Sequence, residues 1–80
     1  MKEDKELLQY AKQLLIAKYP RFANEIAGAS LIYDKNLPTH TAATDGKDIF
    51  VDPEYFASLD DQDKLFTIAH EFMHISILIE

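Results

Sequence analysis

The hydrophobic positions fall into three regimes along the chain, and each predicts a different element. From Glu3 to Lys18, Leu7, Leu8, Ala11, Leu14 and Leu15 recur at helical spacing, with Lys5, Gln9, Lys12 and Gln13 filling much of the opposite face. This predicts an amphipathic helix that ends at Tyr19, because Pro20 disfavours helical geometry in the residue before it. A short helix from Pro20 to Ala27 is expected next, with proline at its first position and Gly28 as a left-handed stop.

The middle of the chain changes to short apolar runs separated by turn formers. Three strands are predicted, at about Ser30–Asp34, Thr39–Thr44 and Lys47–Asp52. Asp45-Gly46 between the last two is a hairpin signal, since both residues tolerate positive φ. Asp48 and Asp52 alternate with Ile49 and Val51 and read as the solvated face of a strand. Pro53 closes that strand and permits a turn of helix over Pro53–Ala57.

The last regime is a helix from about Leu59 to Glu80, opened by Ser58 and Asp61 in a capping-box pattern, with Asp60, Asp61 and Asp63 suiting its positive end. At 100° per residue, Leu65, Ile68, Ala69, Phe72 and Ile75 share one arc. His70 and His74 lie nearly opposite, flanked by Phe66, Met73 and Ile77. Apolar residues almost all round predict a helix buried on several sides, with the histidines pointing into a partly enclosed site. The whole is an α+β domain over residues 1–80: N-terminal helices, a small three-stranded sheet with a hairpin, and a C-terminal helix carrying the chemistry.

Composition narrows the chemistry. With 80 residues, 48% of them hydrophobic, one small domain is expected. There is no cysteine, so disulfides, thiolate metal sites and cysteine nucleophiles are excluded. A net charge of −6 with scattered basic residues argues against nucleic acid. No window is apolar enough for a membrane span, and the charged start MKEDKELLQYAK does not read as a signal peptide. A cytoplasmic protein is the expectation.

Within that frame IAHEFMHI stands out as an H-E-x-x-H segment. Histidines four apart project from adjacent turns of one helix face and reach a single Zn²⁺. Glu71, one residue beyond the first ligand, emerges beside the metal as a general base for a water that attacks a peptide carbonyl. His70 and His74 are therefore the candidate ligands, Glu71 the candidate catalytic residue, Zn²⁺ the cofactor and a peptide or protein the substrate.

The stretch TAATDGKDIFVDPEYFASLDDQDKLFTIAHEFMHI, with YPRFANEIAGASLIYD before it, resembles a metallopeptidase domain that precedes von Willebrand A-like domains in many bacterial proteins. The resemblance implies a zincin-like fold, with a small sheet over the active-site helix, zinc on His70 and His74, and Glu71 as base. A weaker likeness, through the run Phe66 to Glu71, is to peptidases that cleave phage and stress-response repressors; those carry a small residue where Met73 stands.

A catalytic zinc takes three protein ligands and a water, and the third ligand is open. Glu80 lies about 9 Å further along an unbroken helix and about 100° round from the histidine pair, which makes it a poor ligand. His40 is the other histidine, and in a strand it either faces the site or sits exposed on the hairpin. The end ISILIE has four apolar residues and no glycine stop, which reads as truncated. The family resemblance implies continuation, so the third ligand could come from a missing segment or a partner chain, or be absent. Apolar residues there would favour self-association. The alternative function is a degenerate zincin-like module, or an inactive fragment, that binds protein. Tyr33 and Tyr55 read as core aromatics with oxyanion stabilisation as the functional alternative, and the Ala43–Thr44 edge as a place for an extended peptide to add as a strand.

Overall fold

A computed structural model of the chain describes residues 3–79, with side chains for residues 3–75. The order of elements is α1 (Asp4–Lys18), a 3₁₀ turn (Pro20–Phe22), α2 (Ala23–Gly28), β1 (Leu31–Tyr33), β2 (Ala42–Thr44), β3 (Ile49–Val51), α3 (Pro53–Ala57) and α4 (Asp61–Ile79). The fold is mixed α+β, with four helices and a small mixed sheet among the described residues.

The strand order is β1-β3-β2, so the last strand in sequence is the centre of the sheet. β1 pairs parallel to β3 and β2 antiparallel to it, in the register Leu31–Ile49 and Ala42–Val51. Ile49 and Val51 are fully buried while Phe50 between them is half-buried, as the alternation of a strand requires when one face meets helices. Those two side chains join Leu7, Leu8 and Ala11 of α1, Phe22 and Ile26 around α2, Phe56 of α3, and Ile68, Phe72 and Ile75 of α4 in one core cluster. The arc expected on the last helix is thus the face it buries, although Leu65 and Ala69 at its margins are only half-buried.

Several local expectations are corrected. Lys12 does not sit on a solvated face of α1: it is 8% exposed, and its Nζ donates to the carbonyl of Ala27 at 2.9 Å, capping the end of α2 with its stem against the core. Gly28 is the last residue of α2 and not a left-handed stop, since Gly46 is the glycine with positive φ. The β2–β3 connection runs over Asp45–Asp48, and of the Asp45-Gly46 pair only Gly46, at φ 91°, takes positive φ. Asp45 instead accepts the N–H groups of Lys47 and Asp48 on Oδ1, at 2.9 and 2.8 Å, an Asx turn that closes the loop by side chain.

The strands are shorter than expected because their ends are used in turns and caps. His40 takes a left-handed backbone at φ 55°, so β2 begins only at Ala42. Asp48 accepts the N–H of Ser30 at 2.9 Å and so ties the start of β1 to the end of the loop. Asp52 is 8% exposed and not on a solvated face: its Oδ1 accepts the N–H groups of Glu54 and Tyr55, at 3.0 and 3.2 Å, which makes it the N-cap of α3. Asp60, not Ser58, caps α4. Its Oδ1 takes the N–H of Asp63 at 2.8 Å and its carbonyl that of Lys64 at 2.9 Å, whereas the Ser58 hydroxyl donates back to Tyr55. The helix therefore starts at Asp61, two residues later than the capping-box reading had it.

The start of α4 is anchored to α1 and β1 by a polar cluster. Lys64, 6% exposed, pairs with Asp4 at 2.9 Å and places its ammonium 5.3 Å from the Phe56 ring centre, while the Tyr33 hydroxyl donates to the other oxygen of Asp4. Burial, and then the contact with Asp4, raises the Tyr33 phenol to about 12. Burial pushes Asp4 upward, but the hydrogen bonds from Tyr33 and Lys64 outweigh it and hold the carboxyl below its usual range. Tyr33 is therefore a strap between β1 and α1, half-exposed, and not a core aromatic.

Candidate metal centre

α4 carries the candidate centre because its apolar arc fixes the rotation of the helix. With Ile68, Phe72 and Ile75 fully in the core, residues 70 and 74 are turned outward. His70 and His74 are both exposed, as are Phe66 at 71% and Met73 at 50%. The expectation of a helix buried on several sides, with histidines in an enclosed site, does not hold. β2 is three residues long, and its Ala42 shares a cleft with Thr67, His70 and Glu71 of α4, while His74 is exposed and outside that lining.

The Nε2 atoms of His70 and His74 are 3.2 Å apart, and the rings meet edge to face with centroids at 4.8 Å. One ring nitrogen each from His70 and His74 and one carboxylate oxygen of Glu71 all lie within 4.8 Å of one another, and these residues form the one such group among the described residues. A tetrahedral zinc with bonds to imidazole of about 2.0–2.1 Å needs its two nitrogens about 3.3 Å apart. The pair is set at that spacing, and imidazole nitrogens suit zinc as they suit copper, iron and nickel. The donor set fits.

Glu71 differs from the histidines in being buried, 8% exposed, and its carboxylate has no hydrogen bond or ion pair among the described residues. A buried carboxylate is ordinarily satisfied by protein groups. The open side of this one is a cleft of about 390 Å³ lined by Thr41, Ala42, Tyr55, Phe66, Thr67, His70 and Glu71. A second hollow of about 410 Å³ lies along α1, but Glu3, Lys5, Glu6, Gln9, Tyr10 and Gln13 belong to a single helix and do not converge. Among the described residues, the cleft beside α4 joins the Glu71 carboxylate to the His70 ring.

Both walls of the cleft are held by one carboxylate. Asp52 caps α3, which carries Tyr55, and through Oδ2 meets Nδ1 of His40 at 3.4 Å, just ahead of Thr41 and Ala42. The Tyr55 N–H, then the His40 ring and the Glu54 N–H, hold the Asp52 carboxyl below its usual range against the opposing effect of desolvation. His40 is thus occupied at Asp52 and is not among the converging ligand groups. Glu80 and the apolar side chains of residues 77–79, on which the readings of a sixth-residue ligand and a self-associating end rest, lie outside the described residues.

A family model described as "Putative metallopeptidase domain" matches residues 3–78. The chain belongs to that family. Its match begins with α1 and runs through the His70–Glu71–His74 group, so the helices and sheet around the cleft are part of the family's domain and not additions to it. No curated protein and no solved structure gives a significant match.

Thr67, Thr41 and Ala42 are cleft residues that the sequence pattern does not mark, whereas Phe66 reads there as a flank of the histidines and Tyr55 as a core aromatic with a functional alternative. Tyr55 had a signal. Adjacent residues on a single turn of helix point about 100° apart, so Tyr55 and Phe56 cannot both face the core. Phe56 does, at 0% exposure, and Tyr55 turns to the cleft with no partner for its hydroxyl among the described residues.

Proposed function

We propose that this domain is a zinc-dependent, zincin-like metallopeptidase in which His70 and His74 hold the metal and Glu71 is the general base. The observation that carries the reading is the convergence of two ring nitrogens, 3.2 Å apart, with a buried carboxylate that has no partner among the described residues and opens on a cleft. When bound, zinc would polarise the scissile carbonyl and make water a competent nucleophile near neutral pH.

The chain's own residues supply the rest. Glu71 accepts the proton from the attacking water as its oxygen bonds to the carbonyl carbon, then delivers that proton to the amide nitrogen as the C–N bond breaks. Lacking competing partners, its carboxylate is free for both transfers. β2 is an edge strand, and its pairing fixes which of its backbone groups are free. The N–H of Asp52 bonds the carbonyl of Thr41, so by antiparallel alternation Thr41 and Ala43 face β3 while Ala42 and Thr44 present N–H and C=O outward. Ala42 lines the cleft, so an extended peptide added along this edge passes beside Glu71 and His70.

The test is metal analysis of the purified chain, together with cleavage of a peptide library by wild type and Glu71→Gln. About one zinc per chain, lost in His70→Ala, and cleavage that falls at least about 100-fold in Glu71→Gln are the expected results. Equal cleavage by both proteins would sink the proposal. The competing reading, a protein-binding module without catalysis, draws on the same geometry, since two histidines and one acid converge among the described residues and the acid is needed as base. Tight zinc with no cleavage of any library member would favour it.

A further inference from the structure

Phe66 is the most exposed of the large hydrophobic side chains among the described residues, at 71%, and its ring has a defined neighbour. It lies one turn before His70 on α4, and its ring is nearly parallel to the imidazole, 16° apart with centroids at 6.3 Å. The cleft is also lined by Ala42 and Tyr55, with Glu71 as the only carboxylate of the lining among the described residues. An ordered aromatic ring in a cleft, open to water and facing small or aromatic groups, is a surface that gains when an apolar side chain covers it.

We propose that Phe66 sets specificity: the cleft takes an extended peptide whose side chain next to the scissile bond is apolar, aromatic or branched aliphatic, and that side chain lies on the Phe66 ring. The inference rests on the peptidase reading for the words "scissile bond", but the binding preference stands on the cleft alone. The outward N–H and C=O of Ala42 fix the peptide backbone at the β2 edge. Every second side chain then turns toward α4. Phe66 lies in that direction, on the N-terminal side of His70, with the Ala42 methyl leaving room above it. An acidic side chain at the same place would face the Glu71 carboxylate and be repelled.

The preference is measurable without turnover. The full chain, held in chelator, is titrated with blocked alanine-based hexapeptides carrying one guest residue at each position in turn, and binding is read from amide NMR shifts. Wild type is expected to bind the best-placed leucine or phenylalanine guest about tenfold more tightly than serine or aspartate, with shifts at Ala42 and Thr44. Phe66→Ser is expected to keep the Ala42 shifts but reduce the discrimination to under about twofold, while Phe66→Leu retains most of it. Phe66→Gln serves the same purpose if the serine variant loses its fold.

Absence of binding, equal affinity for all guests, or discrimination unchanged in Phe66→Ser overturns the inference. So does a lysine guest that binds as tightly as leucine, because recognition would then come from Glu71 and not from the ring. Failure of the zinc-loaded chain to cleave the preferred peptide would leave this binding pattern intact and count against the peptidase reading alone.

Discussion

The pairing of Lys64 with Asp4 makes a sharp prediction because the two partners are unequally buried. The Lys64 side chain retains 8% of its exposure and that of Asp4 retains 25%, at an N–O distance of 2.9 Å. Replacing Asp4 by asparagine removes the countercharge and leaves the ammonium buried, with a neutral amide oxygen and the Phe56 ring at 5.3 Å in compensation among the described residues. Breaking a fully buried pair from one side costs about 3–5 kcal/mol; with one partner a quarter exposed, about 2 kcal/mol is the expected loss. Lys64→Met, by contrast, keeps the stem packed over Phe56 and leaves Asp4 with the Tyr33 hydroxyl and solvent, so under about 1 kcal/mol is expected. For a domain of this size each kcal/mol moves Tm by about 4–8 °C. Asp4→Asn should therefore lower Tm by about 8–16 °C and Lys64→Met by less than half of that, as read by thermal unfolding at pH 7. The anchor lies at the start of α4, away from His74, so zinc binding by the folded fraction should not change. Equal losses in the two variants would refute the argument, since they would mean that the burial asymmetry has no energetic consequence.

Three further outcomes follow from the geometry. Tyr55→Phe removes a hydroxyl with no partner among the described residues, so Tm should stay within about 1 °C while cleavage, where the hydroxyl meets the developing oxyanion, falls about tenfold in kcat; unchanged kcat would assign Tyr55 to the cleft wall only. Asp4, Asp45 and Asp52 all have carboxyls held below the usual aspartate range, so their ionised forms stabilise the fold. That stability is complete above the unfolded value and is lost as pH falls through the lower folded values. Tm should decline steeply below about pH 4, and Asp52→Asn should flatten the decline; the same slope in both proteins would exclude Asp52 as a contributor. Gly46→Ala forces a Cβ onto a backbone at φ 91° and should cost about 1 kcal/mol by denaturant titration, and no measurable loss would mean that the Asp45–Asp48 loop relaxes to another turn.

The agreement between sequence and fold is greatest where periodicity is long. The helical repeat that opens with Leu7, Leu8 and Ala11 and that of Ile68, Phe72 and Ile75 are local properties of the chain, and these residues are buried, although Leu14 of the first repeat is 52% exposed and Leu15 only half-buried. His70 and His74 come together because residues four apart share one helix face, and Glu71 emerges about 100° to the side of His70, so the candidate metal group is legible before any tertiary contact is known. Its relation to solvent is not. Apolar residues on several sides of α4 implied enclosure, but how much of a helix is covered depends on how far the neighbouring elements extend, and β2 is only three residues long.

The ends of elements and the walls of the cleft were decided by contacts between distant residues. Asp52 could be read as an alternating strand residue until the chain turned at Pro53 and brought two N–H groups to its carboxylate, and His40 to its other oxygen. Lys12 could be read as solvated until α2 folded back and offered the Ala27 carbonyl. What the sequence alone determined is the chemistry of one helix face, because a helix repeats every 3.6 residues whatever surrounds it. What only the tertiary structure decided is which groups share the cleft with Glu71, since Thr41, Ala42, Tyr55 and Phe66 meet there by the pairing of β2 with β3 and the capping of α3, neither of which a local pattern encodes.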